Sequence, residues 1–272
     1  MIIPTHDRRE LLREAITSIR KQTVDEVEII VIDDASDPPV VVDDDIVVVR
    51  HDRPLGPAAA RNAGVAVSRG RAVAFLDDDD LWLADRLLLA RRGLERAPIS
   101  LCYSRFVHES EQTVGRGRIL EGDVSTSIRE GMVPNLGQTA VRRSAWIPLD
   151  ESLSASAEVD WWIRIVQQHR VATEPEVGLL YRVHDGPRTG IGPTARLTAA
   201  LRILDDHAAY FRANRRAEAF HCFRIGVLAR RTGDRRLARR ALGKSLVRHR
   251  RPRTAYHLLR SIGPSTHRVT TP

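Results

Sequence analysis

Four consecutive aspartates at positions 77–80 follow the apolar run 72–76 and carry the clearest chemical signal in the sequence. A solvated acidic loop is one interpretation of such a run. However, four carboxylates at the end of a buried strand repel one another, which costs stability unless a cation neutralises them. Carboxylate oxygens suit Mg²⁺ or Mn²⁺, which keep part of their coordination sphere for a substrate phosphate. The block therefore predicts a divalent-metal site that also holds a diphosphate.

The elements that must position this block alternate between strands and helices. The predicted strands are 2–5, 27–32, 46–49 and 72–76, and the predicted helices are 8–23, 56–68 and 81–97. This alternation is typical of a mostly parallel sheet, in which ligands bind at the carboxyl ends of the strands. Because three of these strands end in polar or acidic residues, we expect their ends to form one polar edge.

The rest of the chain has a different pattern. Residues 98–190 are less regular, and strand-like runs, a helix and two loops are expected there (strands 101–107, 138–142 and 177–183, helix 159–168, loops 115–122 and 185–193). From residue 195 the pattern is helical only, with helices near 195–213, 216–232, 235–249 and 253–261. Residues 217–246 resemble one tetratricopeptide-like helical hairpin, which cannot bury its apolar face alone. We therefore expect it to pack on the main domain or on a partner.

Five sequence blocks, in this order, resemble family 2 glycosyltransferases of the GT-A fold. They are IIPTHDR at 2–8, VIDDAS at 31–36, GPAAARNAG at 56–64, FLDDDDLW at 75–82 and EVDWWIR at 158–164. The resemblance implies a GT-A domain over 1–194, with a mixed, mostly parallel sheet flanked by helices. The helical pattern and the charge of the remaining residues predict an all-helical basic tail over 195–272. It also implies transfer of a sugar, with inversion, from a nucleoside diphosphate sugar to an acceptor hydroxyl, with Mn²⁺ or Mg²⁺ as cofactor.

The resemblance assigns donor-binding roles to several positions. The loop after the first strand would border the nucleoside, an aspartate of the second block would contact the base, and the third block would back the nucleotide pocket. These positions are Pro4, Thr5, His6, Asp33, Asp34, Arg61 and Asn62. Asp34 is favoured for the base contact, since Asp33 also suits capping of the following turn. Arg61 also suits a salt bridge between the helix and the sheet.

Within the acidic block, the resemblance places Asp79 on the metal and Asp77 or Asp78 towards the ribose or the metal. Asp80 and Trp82 are expected instead to shape the start of the following helix.

The resemblance also implies a general base in the fifth block. Alignment on Trp162 places Glu158 at the position of the base, with Ala157 where the family usually has Glu. Asp160 is the second candidate, although an acidic residue in the first turn of a helix also stabilises that helix.

His184 directly precedes the predicted loop 185–193, and Arg188 lies within it. By the same resemblance, His184 would bind the metal or a phosphate, or would be structural. Arg188 would neutralise diphosphate charge if the loop closes over the donor.

The charge is unevenly distributed along the chain, whose formal net charge is +8. Residues 196–272 carry 19 Lys and Arg against four acidic residues. Three interpretations suit this basic tail: a solvated helical face, contact with an anionic membrane surface, or contact with an acidic acceptor polymer. Nucleic acid is not expected, because no nucleic-acid-binding motif accompanies the tail.

Two cysteines exclude a disulfide framework, and no signal peptide or membrane-spanning run is seen. We expect a cytoplasmic protein, with peripheral contact to the inner face of the membrane as one alternative for the tail.

Two alternative functions fit the sequence to different degrees. A sugar-1-phosphate nucleotidyltransferase would need a Gly-rich, Lys-bearing loop after the first strand, which the sequence lacks. A catalytically degenerate module that acts through its basic tail is the alternative, and the Ala157 departure favours it. The sequence leaves open whether the donor base is uridine, thymidine or guanosine. It also leaves open whether the acceptor is a polysaccharide, a lipid-linked or a small glycoconjugate.

Overall fold

The computed structural model describes residues 1–24, 26–108, 114–116, 128, 133–183, 191–249 and 252–262. The chain divides into two compact units, Met1–Ile128 with Val133–Gly190, and Arg129–Met132 with Ile191–Pro272. His184 and Arg188 lie outside the described residues.

The first unit is built from short strands and four described helices. Its strands are β1 (Ile2–Thr5), β2 (Ile30–Asp33), β3 (Val47–Arg50), β4 (Ala72–Ala74), β5 (Leu81–Trp82), β6 (Ile99–His108), β7 (Val114–Arg116), β8 (Thr139–Arg142) and β9 (Val171–Val183). Its helices are α1 (Arg9–Arg20), α2 (Pro57–Val67), α3 (Arg86–Arg96) and α4 (Ala157–Gln168).

The strands form two sheets that meet near the acidic block. β1, β2 and β3 are parallel, as the sequence predicts, and β2 lies in the middle. The second sheet has the order β4-β8-β6-β9-β5, with β7 on β6, and most of its pairs are antiparallel. A parallel bridge between Ile2 and Phe75 joins the two. The predicted α/β fold, with a mixed sheet, flanking helices and a helical C-terminal region, is confirmed.

The helix predicted over 81–97 is wrong at its start. Leu81 and Trp82 form β5, which pairs antiparallel with β9, and the helix begins only at Arg86. The reason is tertiary pairing, which overrides local helical preference. Trp82 lies in the core, and its backbone N–H donates to the Ser18 hydroxyl at 3.1 Å. Asp80 and Trp82 therefore do not shape the start of the helix, and Asp80 has a different position, described below.

The second unit is helical in its described part. Its helices are α5 (Pro193–Asp206), α6 (Ala208–Ala213), α7 (Arg215–Arg231), α8 (Arg235–Arg248) and α9 (Pro252–Ile262). The helix predicted over 195–213 is divided at His207, which lies between α5 and α6. None of the described helices combines the length and the apolar character needed to cross a bilayer.

α7 and α8 form the predicted helical hairpin. Gly233, with φ of +86°, makes the turn, and Asp234 caps α8 by accepting from the Leu237 N–H at 2.9 Å. Apolar residues of α5 pack together with those of the hairpin in one cluster (Leu197, Ala200, Ile225, Ala229, Ala238, Ala241). The hairpin thus buries apolar surface against a helix of its own unit.

In the first unit, Gly64 sets how closely α2 packs on β1. A Cβ at Gly64 would lie 2.4 Å from Cγ2 of Ile2, a fully buried, β-branched side chain that cannot move aside easily. We predict that Gly64→Ala lowers the free energy of unfolding by about 1–3 kcal/mol, measured by denaturant unfolding. The control is Gly243→Ala in α8, where a Cβ would meet nothing within 4 Å. It should gain about 0.5–1 kcal/mol from helix propensity. Equal effects of the two substitutions would contradict this account of the packing.

Candidate active site

The ends of β1 and β2 and the acidic block meet at one edge of the sheet. The Asp34 N–H donates to the Thr5 carbonyl at 2.9 Å, and the Leu76 N–H donates to the Ile2 carbonyl at 3.1 Å. The Thr5 hydroxyl then donates to Asp78 Oδ2 at 2.7 Å, across 73 positions of sequence. The structure therefore brings together the polar strand ends that the sequence analysis predicted to converge.

Two arginines supply part of the positive charge that the acidic block needs. Arg8 Nη1 donates to Asp78 Oδ1 at 3.1 Å and to Asp79 Oδ2 at 2.8 Å. Arg61 pairs with Asp77, which matches the salt bridge considered for it from the sequence. The sequence analysis did not identify Arg8. The available signal was its position directly after a strand whose carboxyl end faces the acidic block.

Three of the four aspartates remain as a possible cation site. Asp77, Asp79 and Asp80 each offer a carboxylate oxygen, and these oxygens all lie within 4.8 Å of one another. Asp80 Oδ1 accepts the Arg182 N–H at 2.9 Å, but Asp80 Oδ2 is buried and has no hydrogen-bond partner among the described residues. A buried oxygen without a donor is costly, and a cation would satisfy it. The three residues fit Mg²⁺ or Mn²⁺ by the chemistry of their ligands.

Burial and mutual repulsion affect how the block ionises. Burial raises the pKa of Asp78 to about 6, against the opposing effect of the Thr5 hydrogen bond and the Arg8 charge. Burial, followed by repulsion from Asp77, raises the pKa of Asp80 to about 9. Burial and the neighbouring carboxylates therefore favour the protonated form of Asp80 over the charged form when no cation is bound. Binding of a divalent ion at Asp80 should accordingly release a proton.

Asp33 and Asp34 hold the loops after β2. Asp33 accepts the N–H groups of Ser36 at 2.8 Å and Val40 at 3.1 Å, and it pairs with Arg50. This is the turn-capping role considered for it from the sequence. Burial opposes ionisation of Asp33, but these hydrogen bonds outweigh it and hold the pKa of its carboxyl below the usual value.

Asp34 ties the segment before α2 to the end of β2. Its oxygens accept the N–H groups of Leu55 and Gly56, each at 2.8 Å, and contact His51 Nδ1 at 2.7 Å. These bonds, with His51 first among them, outweigh burial and hold the pKa of Asp34 below the usual value. Its carboxylate therefore fixes the approach to α2, whether or not it also contacts a base.

The other predicted donor-site residues of the first loop lie at the same edge. Pro4 is half-buried in β1, and the exposed His6 has its Nδ1 2.7 Å from the Asp34 carbonyl oxygen. His6 therefore joins the loop after β1 to the loop after β2.

Asn62 connects α2 to the segment that leads into α4. Its side-chain amide donates to the Leu149 carbonyl at 2.9 Å and to Glu151 at 2.8 Å, and its oxygen accepts the Leu149 N–H at 2.9 Å. Since Arg61 faces Asp77 one residue earlier, α2 links the acidic block to residues 149–151. Sequence reasoning predicted a pocket position for Asn62 but not this link.

The two candidate bases lie in the first turn of α4 but differ in their surroundings. Asp160 is buried and pairs with Arg164 at 2.6 Å. Glu158 is half-buried, and its carboxylate has no hydrogen bond or ion pair with the described residues. The helix itself is firmly anchored, since Trp161 and Trp162 are fully buried and donate to backbone carbonyls. Glu158 therefore differs from Asp160 in having no side-chain partner among the described residues.

The model of glycosyl transferase family 2 matches residues 1–146, which is more than half of the chain. The chain belongs to this family. The matched stretch contains the acidic block, whereas Glu158 and Asp160 lie beyond it.

Three curated relatives match this chain over 102 to 145 aligned residues. An uncharacterised glycosyltransferase of Rickettsia bellii (strain RML369-C) is 30% identical over 145 residues, 51% of this chain and 20% of the relative. The UDP-Glc:alpha-D-GlcNAc-diphosphoundecaprenol beta-1,3-glucosyltransferase WfgD of Escherichia coli is 30% identical over 112 residues, 39% of this chain and 44% of WfgD. The succinoglycan biosynthesis protein ExoO of Rhizobium meliloti (strain 1021) is 37% identical over 102 residues, 35% of this chain and 28% of ExoO. The chain thus spans less than half the length of each relative.

Solved structures resemble most of the chain. S. aureus TarS 1–349 in complex with UDP-GlcNAc has a TM-score of 0.65 at 16% identity, covering 94% of this chain and 82% of TarS 1–349. The mannosyltransferase PcManGT from Pyrobaculum calidifontis, in complex with GDP-Man and Mn²⁺, has a TM-score of 0.58 at 18% identity, covering 95% and 77%. At such identities the similarity shows the fold alone. The GT-A fold expected from the sequence is confirmed.

Arg8 should matter for stability, because it balances the charge of two aspartates. In Arg8→Met, the buried carboxylate of Asp78 loses a charged partner. We predict a loss of about 1–3 kcal/mol in unfolding free energy without metal, and a larger gain in melting temperature on adding Mn²⁺ than the wild type shows. The control is Arg9→Met, since among the described residues the neighbouring Arg9 donates to the Pro38 and Pro39 carbonyls and to no carboxylate. Thermal unfolding with and without Mn²⁺ tests this, and an unchanged response to Mn²⁺ would refute the charge-balancing role.

Proposed function

We propose that this protein transfers a sugar from a nucleoside diphosphate sugar to an acceptor hydroxyl, with inversion at the anomeric carbon and dependence on a divalent cation. One observation carries the proposal: Asp80 Oδ2 is buried without a donor among the described residues, within a cluster of three carboxylates at the strand-end edge. Family membership supports the reaction class. Two structural neighbours were solved with a bound nucleotide sugar, in one case together with Mn²⁺.

In this proposal, Asp77, Asp79 and Asp80 hold Mn²⁺ or Mg²⁺. This assignment adds Asp80 to the metal site that the sequence analysis predicted. A bound divalent ion would supply Lewis-acid stabilisation of the leaving diphosphate. Asp78 is not proposed as a ligand, because Thr5 and Arg8 already engage both of its oxygens.

The chain's own residues orient the donor. The loops carrying Thr5, His6 and Asp34 would border the nucleoside, and Asp77 with Arg61 would flank the ribose and the diphosphate. Asp34 and Asp33 would act mainly by fixing the loop shapes, since the chain itself supplies their hydrogen-bond donors. The proposed roles of His184 at the metal or phosphate and of Arg188 at the diphosphate stay predictions.

Glu158 is proposed as the general base. It would take the proton of the acceptor hydroxyl as that oxygen forms a bond to the anomeric carbon and the bond from this carbon to the diphosphate breaks. The pairing of Asp160 with Arg164 makes Asp160 the weaker candidate, because a carboxylate held by a guanidinium is a poorer proton acceptor. The acceptor is proposed to be a hydroxyl of a polysaccharide, a lipid-linked or a small glycoconjugate.

Substitution of the two carboxylates separates the candidate bases. We predict that Glu158→Gln lowers kcat about 100- to 10 000-fold and leaves donor binding and melting temperature nearly unchanged. Asp160→Asn should mainly lower stability, by about 1–3 kcal/mol, because Arg164 loses its charged partner. The measurements are steady-state transfer, donor binding and thermal unfolding. Wild-type turnover in Glu158→Gln would disprove the assignment of the base while leaving the family intact.

A thermal-shift panel tests the donor site itself. UDP, TDP and GDP are added with Mn²⁺ or with EDTA, and we predict that one nucleotide raises the melting temperature only when Mn²⁺ is present. A ligand at 100 times its Kd adds about 2.7 kcal/mol, which is roughly a few degrees for a chain of this size.

The matched variants are Asp80→Asn, which should lose the metal-dependent shift, and Asp44→Asn at an exposed position, which should keep it. No shift with any nucleotide would contradict the proposal and favour the degenerate interaction module instead.

A further inference from the structure

The exposed side of α8 carries four arginines that have no ion-pair partner among the described residues. Arg235, Arg236, Arg239 and Arg240 are exposed, and none of them forms a salt bridge or a side-chain hydrogen bond with the part of the chain that the structure describes. Their spacing places them on one side of two successive helical turns. By contrast, the later cations of α8, Lys244 and Arg248, each pair with the buried Glu218 at 2.7 Å. The helix therefore separates paired structural cations from unpaired ones.

The sequence offers these arginines no nearby acidic residue towards the C-terminal side. No Asp or Glu occurs between positions 235 and 272. Like charges one helical turn apart destabilise a helix by a few tenths of a kcal/mol per pair. An external anion would remove this repulsion.

Exposed apolar side chains accompany the arginines. Val247 is 79% exposed and lies seven residues after Arg240, which places it on the same side of α8 two turns later. On α9, Tyr256 is 54% exposed and Leu259 is 69% exposed, one turn apart on the same side of that helix. α9 packs against α8. Cationic and apolar exposed residues thus occur together on one pair of helices.

We propose that this α8–α9 surface docks on the anionic face of a lipid bilayer. A polyanion such as an acidic glycan or RNA would need the arginines but would gain nothing from Val247 and Leu259. A bilayer uses both, since arginines contact anionic headgroups while apolar side chains enter the boundary of the acyl chains. The contact is peripheral and does not depend on the proposed transfer reaction.

Vesicle co-sedimentation of the full chain tests the docking. The probes are vesicles of phosphatidylcholine alone and vesicles in which phosphatidylglycerol replaces part of it, each at low and at high salt. We expect binding only to the anionic vesicles, weakened by salt, because surface attraction is screened. Equal binding to both vesicle types, or binding to neither, would overturn the proposal.

Two quadruple variants test the assignment to α8. Arg235→Gln, Arg236→Gln, Arg239→Gln and Arg240→Gln together should weaken binding at least about 100-fold, since each arginine near the surface contributes about a fivefold factor. The matched control removes the same charge from exposed positions dispersed over the first unit, by Arg→Gln at Arg13, Arg53, Arg91 and Arg170. It should retain most of the binding. Equal losses in the two variants would mean that only net charge matters and would refute a docking surface.

The apolar contribution has its own test. Val247→Ser with Leu259→Ser should reduce the binding that remains at high salt, and neither side chain is buried, so folding should be unaffected. A heparin column separates the alternatives. If the wild type binds heparin and ignores anionic vesicles, the partner is a soluble polyanion and the bilayer proposal is wrong.

Discussion

The first unit depends on how the charge of four adjacent carboxylates is balanced at one sheet edge. Asp77 and Asp79 are each paired with an arginine that precedes them in sequence, Arg61 or Arg8. Asp78 is buried and engaged by Thr5 and Arg8, whereas Asp80 accepts one backbone N–H and its other oxygen has no donor among the described residues. The balance is therefore incomplete in one place. A cation is most favourable at that place, since no other oxygen of the four aspartates is buried without a partner in the described part of the chain.

Packing keeps this block in place against its own repulsion. β5 follows directly and pairs with β9, while the Trp82 ring lies in the core with the Arg86 guanidinium 4.9 Å from its centroid. Arg86 is fully buried, and the face of an aromatic ring stabilises such a cation. The loops around the site carry strain as well: Asp7, Ala35 and Ser156 have φ values of 54°, 63° and 62°. A left-handed backbone conformation at a non-glycine residue costs about 1–3 kcal/mol of conformational free energy, and it persists where the surrounding structure fixes that residue.

The local pattern of apolar and polar residues, and the order of these patterns along the chain, determined which features could be predicted from the sequence. The apolar runs located β1 and β2, and the polar residues after them located the edge where Thr5 and Asp78 meet. The pattern could not predict β5, because its two residues pair with a strand almost 100 positions later. The same limit applies to Arg8, Asp80 and Asn62, since the partners of all three are distant in sequence and are joined only by the fold.

The two candidate bases show that ion-pair partners distinguish residues between which the sequence alone distinguishes poorly. Glu158 and Asp160 lie two positions apart in one helical turn, and alignment alone ranks them by their spacing from Trp162. In the structure, Arg164 lies one turn after Asp160 and pairs with it, so that the charge of Asp160 is balanced within its own helix. Glu158 has no such partner among the described residues. The same comparison holds in the acidic block, where one oxygen of Asp80 accepts no hydrogen bond from the part of the chain that the structure describes. In both places, the fold balances one carboxylate and leaves a near neighbour incompletely paired within the described residues.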